Sequence, residues 1–280
     1  MTNWLLGVVL GVVQGVSEWL PVSSKTQIIL ASTFLFGLGI KDAYALGLFL
    51  EAGTFIAAAF YFRREVWGVL KALVGKGDDE GRILLKYLVI VTALTAVVGV
   101  SIYLTALSSI SGPVVGLPMI VLGCILLGDG VIIALARGKA NPTKGLKDLS
   151  LRDLIIIGVV QGISALPGVS RSGVTVSAML LLGINAEDSF RLSFLALIPA
   201  SVGAAGVSVV FSGVDIGSAV STIGVGVILL AIVISAVIGL VFIRVLLRAA
   251  GSNRIVLLVV ALGVLAIGSG VLTILTGTSG

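Results

Sequence analysis

Apolar residues fill this chain in long unbroken runs, and charge interrupts them at only a few places. Between successive charged residues lie the long uncharged runs 192–214, 216–243, 255–280 and 87–128. The last contains the polar turn Ser108-Ser109-Ile110-Ser111-Gly112-Pro113 and divides there into two. Crossing the hydrocarbon core of a bilayer takes roughly 20 consecutive apolar residues, so these runs predict five transmembrane helices. Residues 43–62 add a sixth in spite of Glu51. Four further runs, 1–17, 26–40, 154–170 and 172–186, fall short of that length and meet in pairs at junctions rich in Gly, Pro and Ser. Each pair is too short for two crossings and is read as a re-entrant helical hairpin that enters and leaves on one side.

The chain is also written twice. GVVQGVS at 11–17 returns as GVVQGIS at 158–164, an offset of 147 that carries Ser23 onto Ser170. Each copy then breaks into polar sequence, at Glu18 to Lys25 in the first and at Pro167 to Gly173 in the second. The expected fold is an all-α polytopic membrane protein built as an inverted repeat. The first repeat is 1–140, with a hairpin at 1–40 and spans at 43–62, 84–106 and 113–136. The second is 150–280, with a hairpin at 152–186 and spans at 190–211, 216–247 and 254–277. Three crossings per repeat turn the second copy upside down relative to the first. Fourteen of the eighteen Lys and Arg lie in segments 63–86, 137–152 and 244–254, all on one side of this topology, which makes that side cytoplasmic. In the plasma membrane the first hairpin then enters from outside and the second from inside, so that their tips meet near the midplane.

Composition fixes the class and excludes several kinds of chemistry. With 58% hydrophobic residues, 11% charged residues and a mean hydropathy of +1.23, the chain has too little polar surface for a soluble domain. Its net charge of +5 sits largely in the membrane-flanking segments, so anionic lipid heads are expected as contacts and nucleic acid is not. The single Cys124 excludes an intramolecular disulfide and a cysteine metal cluster, and the absence of His excludes imidazole acid–base chemistry. Segment 1–17 lacks a basic leader and runs straight into Glu18, so it is expected to be retained.

The hairpin tips carry the candidate chemistry. The first gathers Gln14, Ser23, Lys25 and Gln27 around Glu18 and Ser24; the second gathers Gly168, Ser170, Ser172 and Thr175 around Arg171. Serines and glycines in membrane helices more often pack helices than perform chemistry. An arginine at bilayer depth is different, because on insertion scales it costs roughly 2.5–3.5 kcal/mol unless paired. Arg171 therefore pairs with Glu18 or binds an anion, and the two are compatible if the pair opens when the ligand arrives. Successive backbone N–H groups over 168–173 together with a guanidinium suit phosphate oxygens. Glu18 repels a bare phosphate, which points to a bridging divalent cation, Mg²⁺ or Ca²⁺, with Glu18 as its ligand, or to proton handling. Glu51 is an additional carboxylate at depth. Two functions fit these residues: an enzyme acting on a phosphate, and a transporter of an anionic substrate, since inverted repeats with helices broken at the midplane are a transporter architecture.

QGVS leading into EWLPVSS, with PGVSRSGVT far downstream, resembles the undecaprenyl-diphosphate phosphatase (bacitracin-resistance protein) family over essentially the whole chain. The resemblance implies an integral membrane hydrolase that converts a polyprenyl diphosphate into the monophosphate lipid carrier for cell-envelope biogenesis, with its site opening to the outer face. It implies catalytic roles for Glu18, Ser24 and Arg171, with Ser24 the nucleophile and Gln14 the first position of the Glu18 motif. A homodimer is compatible with it. Two departures stand out: the family pattern has Glu at Gln14 and a His three residues after the nucleophilic serine, where this chain has Gln27. Glu51 stands where the pattern has Gln. A transporter or flippase of polyprenyl phosphate is the alternative, favoured by the missing His and disfavoured by the retained Glu, Ser and Arg.

Overall fold

In hydrocarbon every backbone N–H and C=O must be satisfied internally, and a helix does this within a single segment. The computed structural model describes residues 3–38, 40–109, 116–136, 143–166, 169–211, 223–250 and 255–276, and these are helical throughout apart from turns and one isolated β-bridge. In chain order the helices are α1 (Asn3–Ser17), α2 (Ser24–Phe36), α3 (Ile40–Tyr61), α4 (Arg63–Leu73), α5 (Asp79–Ser109) and α6 (Gly116–Ala136). They continue as α7 (Leu151–Ile163), α8 (Arg171–Leu181), α9 (Ala186–Phe211), α10 (Val225–Ala250) and α11 (Ile255–Leu275).

Among the described residues four stretches are long and apolar enough to cross a membrane: Asp79–Ile102, Ala186–Gly206, Val225–Ala250 and Val256–Leu275. The other two segments expected to cross, α3 and α6, are 22 and 21 residues long, with shorter apolar stretches at Phe49–Tyr61 and Met119–Gly128. The protein is thus a multi-pass, all-helical membrane protein. The start of the expected 216–247 span, most of the 108–113 turn, Arg137, Lys139 and Arg254 lie outside the described residues. Segment 63–86, expected only as a basic segment on the cytoplasmic side, contains the helix α4. Its Trp67, Leu70 and Leu73 are exposed, the pattern of a helix lying at a membrane surface.

Helix α10 shows how a helix apolar all round still acquires two faces. Val225, Leu229, Val233, Val237, Val241 and Val245, spaced by four, are exposed, while Ala231, Ser235, Gly239 and Ile243 are buried. Lipid is as apolar as leucine, so helices associate in it by close packing, which small residues permit. A Cβ on Gly11 would stand 2.7 Å from the Ala231 carbonyl oxygen, and one on Gly15 would stand 2.9 Å from that of Ser235, so α1 lies backbone-close to α10. The matching glycines of the second copy act alike: a Cβ on Gly158 would stand 2.8 Å from Leu94 Cβ, and one on Gly162 2.6 Å from Val98 Cβ, which packs α7 on α5. Each hairpin therefore leans on a long helix from the other half, and α3 with α10 and α5 with α9 repeat the exchange.

Helix α9 runs through the middle, packed on α3, α5, α8 and α10. Tyr87 of α5 donates to the Leu192 carbonyl at 3.1 Å, and Arg191 pairs with Glu80 at 3.1 Å and Glu65 at 3.5 Å, tying the start of α9 to α5 and α4. Ahead of α7, Ser150 and Asp153 form a capping box, and Lys144 reaches Asp153 at 3.1 Å. Burial pushes the Asp153 carboxyl up, but hydrogen bonds from Ser150 and the Lys144 ammonium outweigh it and hold the group below its ordinary value.

The glycine contacts make a direct prediction. Gly11→Ala lowers the stability of the detergent-solubilised protein by about 1–3 kcal/mol, the usual range for overpacking. Gly203→Ala, where a Cβ meets nothing within 4 Å, leaves it unchanged or slightly raised. Thermal melts followed by size-exclusion chromatography check the contrast.

Candidate active site

Both hairpins break where the sequence removes helix-forming groups. The Glu18 N–H bonds the Gln14 carbonyl at 3.1 Å, a last helical bond at the end of α1, and Pro21 cannot extend the run because it has no N–H to give. The chain then turns through Ser23, whose φ of +53° lies in the left-handed region, and re-enters helix at Ser24. A non-glycine residue there is held at a cost of roughly 1–3 kcal/mol, the kind of strain that collects at functional sites. In the second hairpin Ser170 caps α8, its hydroxyl accepting from the Gly173 N–H at 3.3 Å, and Arg171 is the first residue of the helix. Pro167 and Gly168, the latter an expected phosphate contact, lie outside the described residues.

The two tips touch. Arg171 Nη2 donates to Glu18 Oε1 at 2.5 Å, while Nη1 reaches Ser201 Oγ on α9 at 3.3 Å. The other oxygen of Glu18 accepts from Ser24 Oγ at 2.6 Å and from Gln14 Nε2 at 2.9 Å. Backbone of the first tip is held by hydroxyls of the second: Ser170 Oγ donates to the Leu20 carbonyl at 3.3 Å, and Ser172 Oγ lies 3.4 Å from the Glu18 and Leu20 carbonyls. Glu18, Ser24, Gln14 and Ser172 are all buried. Lys25 pairs with Glu51 of α3 at 3.2 Å.

Not every expected residue enters this cluster. Gln27 donates to the Val22 carbonyl at 2.9 Å and to Ser269 of α11, so it fastens the first hairpin to the last helix. Ser23 accepts from Thr26 at 3.1 Å, and Thr175 lies 2.7 Å from Ser193 of α9. Gln161, the repeat partner of Gln14, donates to Thr95 at 3.0 Å and faces α5. Sequence reasoning missed Ser201 and Ser193, which hold Arg171 and Thr175 from α9. Lone serines in an apolar helix are indistinguishable from packing residues until a partner is seen.

A divalent cation is tested by the donor set. Among the described residues no three His, Cys, Asp or Glu side chains cluster to hold a metal, so there is no all-protein cage. Glu51 is nevertheless brought to the site by its pair with Lys25, the neighbour of Ser24, at 3.2 Å, and Gln14 Oε1 beside Glu18 is buried with no hydrogen-bond partner. Oxygen donors of this kind, from one or two carboxylates, suit a cation that completes its shell with the phosphates of a substrate.

Comparison with known proteins gives one family. The model described as bacitracin resistance protein BacA matches residues 7–268. A protein of Saccharolobus solfataricus named undecaprenyl-diphosphatase is 52% identical over 274 residues, 98% of each chain. Its namesake in Saccharolobus islandicus strain M.16.4 is 52% identical over 91% of each chain, and that of Pyrobaculum aerophilum is 47% identical over 75% of this chain and 79% of its own.

The strained turn can be probed without touching the charges. Ser23→Gly relieves the left-handed backbone and retains or raises stability by up to about 1 kcal/mol, whereas Ser23→Val, β-branched, lowers it. Chemical unfolding of the purified variants checks the order.

Proposed function

The chain belongs to the bacitracin resistance protein BacA family, and on that premise we propose that it is an integral membrane phosphatase acting on undecaprenyl-type polyprenyl diphosphate. It releases phosphate and leaves the monophosphate lipid carrier. The observation that carries this reading is the hydrogen bond from Ser24 Oγ to Glu18 Oε2 at 2.6 Å beside an arginine at 2.5 Å. That is a nucleophile, a base and an anion ligand on two hairpin tips.

Glu18 takes the Ser24 proton as Ser24 Oγ attacks the terminal phosphorus. The bridging P–O bond breaks, and its electron pair leaves with the prenyl monophosphate. Glu18 passes the Ser24 proton to the departing monophosphate oxygen, then deprotonates the water that cleaves the phosphoserine, and returns the water's proton to Ser24 Oγ to regenerate the hydroxyl. Arg171 exchanges Glu18 for the phosphoryl oxygens, to which its planar fork can donate twice, and Ser201 holds the far nitrogen in position. Glu18, with Glu51 as a second carboxylate, would hold a Mg²⁺ or Ca²⁺ ion, which neutralises diphosphate charge when bound.

The architecture we propose is the inverted repeat of two re-entrant hairpins, 1–40 and 152–186, each followed by three spans. It is supported by the shared glycine contacts and by the way each hairpin packs on the other half. The basic segments mark the cytoplasmic side of the plasma membrane, and the site opens to the opposite face.

Phosphate release from polyprenyl diphosphate by purified protein, with and without EDTA, tests the reading. Glu18→Gln and Arg171→Ala each lower turnover by about 10²-fold or more, the scale for loss of a general base or a phosphoryl clamp, and turnover is measured on the monodisperse fraction because each variant leaves a charge unpaired at a cost of order 3–5 kcal/mol. Arg171→Lys recovers only part, because a point charge lacks the fork. Ser24→Ala abolishes release if Ser24 is the nucleophile and leaves substantial activity if water attacks directly. Wild-type protein that binds the lipid yet releases no phosphate with any divalent cation would sink the enzyme and support the transporter.

A further inference from the structure

The Glu18–Arg171 pair has a companion whose cation the hydrolysis described above leaves unused. Lys25, the second residue of α2, is held by Glu51 of α3 at 3.2 Å. Each hairpin thus carries one cation in the first turn of its second helix, Lys25 on α2 and Arg171 on α8. Each cation is neutralised by a carboxylate from another element. The pairs differ in access: the Lys25 side chain is 37% exposed and that of Arg171 17%. Two carboxylates and two cations sum to no formal charge, so a doubly charged headgroup is matched only if both cations leave their carboxylates for it.

We infer that Lys25 is the ligand for the second phosphoryl group of the substrate. Arg171 takes the terminal phosphoryl group beside Ser24, and Lys25 swings from Glu51 to the phosphoryl group that bears the prenyl chain. The inference rests on the phosphatase reading and deepens it, because Lys25 becomes the residue that distinguishes diphosphate substrate from monophosphate product. Lysine suits this role because a compact charge on a flexible stem follows a moving phosphate without the planar match that arginine needs. When the bridging bond breaks, the developing charge falls on the phosphoryl group that Lys25 holds, where an ammonium stabilises it. A free monophosphate can occupy only one of the two cations, so Lys25 adds little to its binding.

The test is a binding measurement on the purified full chain with two probes, farnesyl diphosphate and farnesyl monophosphate, in EDTA and again in magnesium. Wild-type protein prefers the diphosphate by about tenfold or more, the value of one additional charge-assisted contact. Lys25→Met reduces that preference to about twofold or less, and Lys25→Arg keeps most of it. Because Lys25→Met leaves Glu51 without its partner and can harm folding, the charge-neutral double variant Lys25→Met/Glu51→Gln is measured beside it and gives the same loss. An unchanged preference in the double variant, or none in the wild type under either condition, overturns the inference. Since the readout is affinity, a wild type that shows the Lys25-dependent preference but releases no phosphate overturns the hydrolysis and leaves the Lys25 assignment standing.

Discussion

An ion pair between two hairpin tips, its carboxylate buried and its guanidinium mostly so, organises this protein. Glu18 and Arg171 are 153 residues apart in sequence and 2.5 Å apart in space. Neither charge is tolerable alone at that depth, since an unpaired buried charge costs several kcal/mol, of order 3–5 when one partner is removed. The pair is tied at both ends, to Ser24 and Gln14 through the carboxylate and to Ser201 through the guanidinium. The ion pair itself requires the tips to meet, and the tips meet because each hairpin is clamped on a long helix from the opposite half of the chain.

The duplication separates scaffold from chemistry. Gly11 and Gly15 of the first copy are Gly158 and Gly162 of the second, and each pair brings its helix into close contact with a neighbour. At the tips the copies diverge. At the same offset Glu18 corresponds to Ala165, Ser24 to Arg171 and Lys25 to Ser172. The acid and the hydroxyl come from one copy and the guanidinium from the other, so two similar hairpins build one asymmetric site.

In the proposed mechanism, a chain without histidine places proton work on carboxylates. Glu18 has a hydroxyl on one oxygen and a guanidinium on the other, which leaves the oxygen nearest Ser24 in line to accept its proton. At Gln27, three residues past Ser24, the amide bonds Val22 and Ser269 instead. The residue has become a structural tie between the first hairpin and the last helix. The left-handed Ser23 beside Ser24 fixes the direction in which the chain leaves the turn, which is why a residue other than glycine is held there under strain.

How much of this was legible in one dimension follows from the range of each interaction. The long apolar runs, the repeat and the polar tips were readable, because hydrocarbon thickness and the scarcity of charge in lipid act on consecutive residues. Glu18 and Arg171 were readable as partners too, since each needed a counter-charge and few were at depth. Helix α4 was hidden by its basic residues, which signal topology as strongly as they signal a loop. Ser201, Ser193 and Ser269 were not readable at all: a serine in an apolar helix acquires a role only from what packs against it. The registers of α1 on α10 and α7 on α5, and with them the meeting of the tips, were decided by glycine contacts between segments far apart in the chain. Over such separations sequence pattern carries no information and close packing carries all of it.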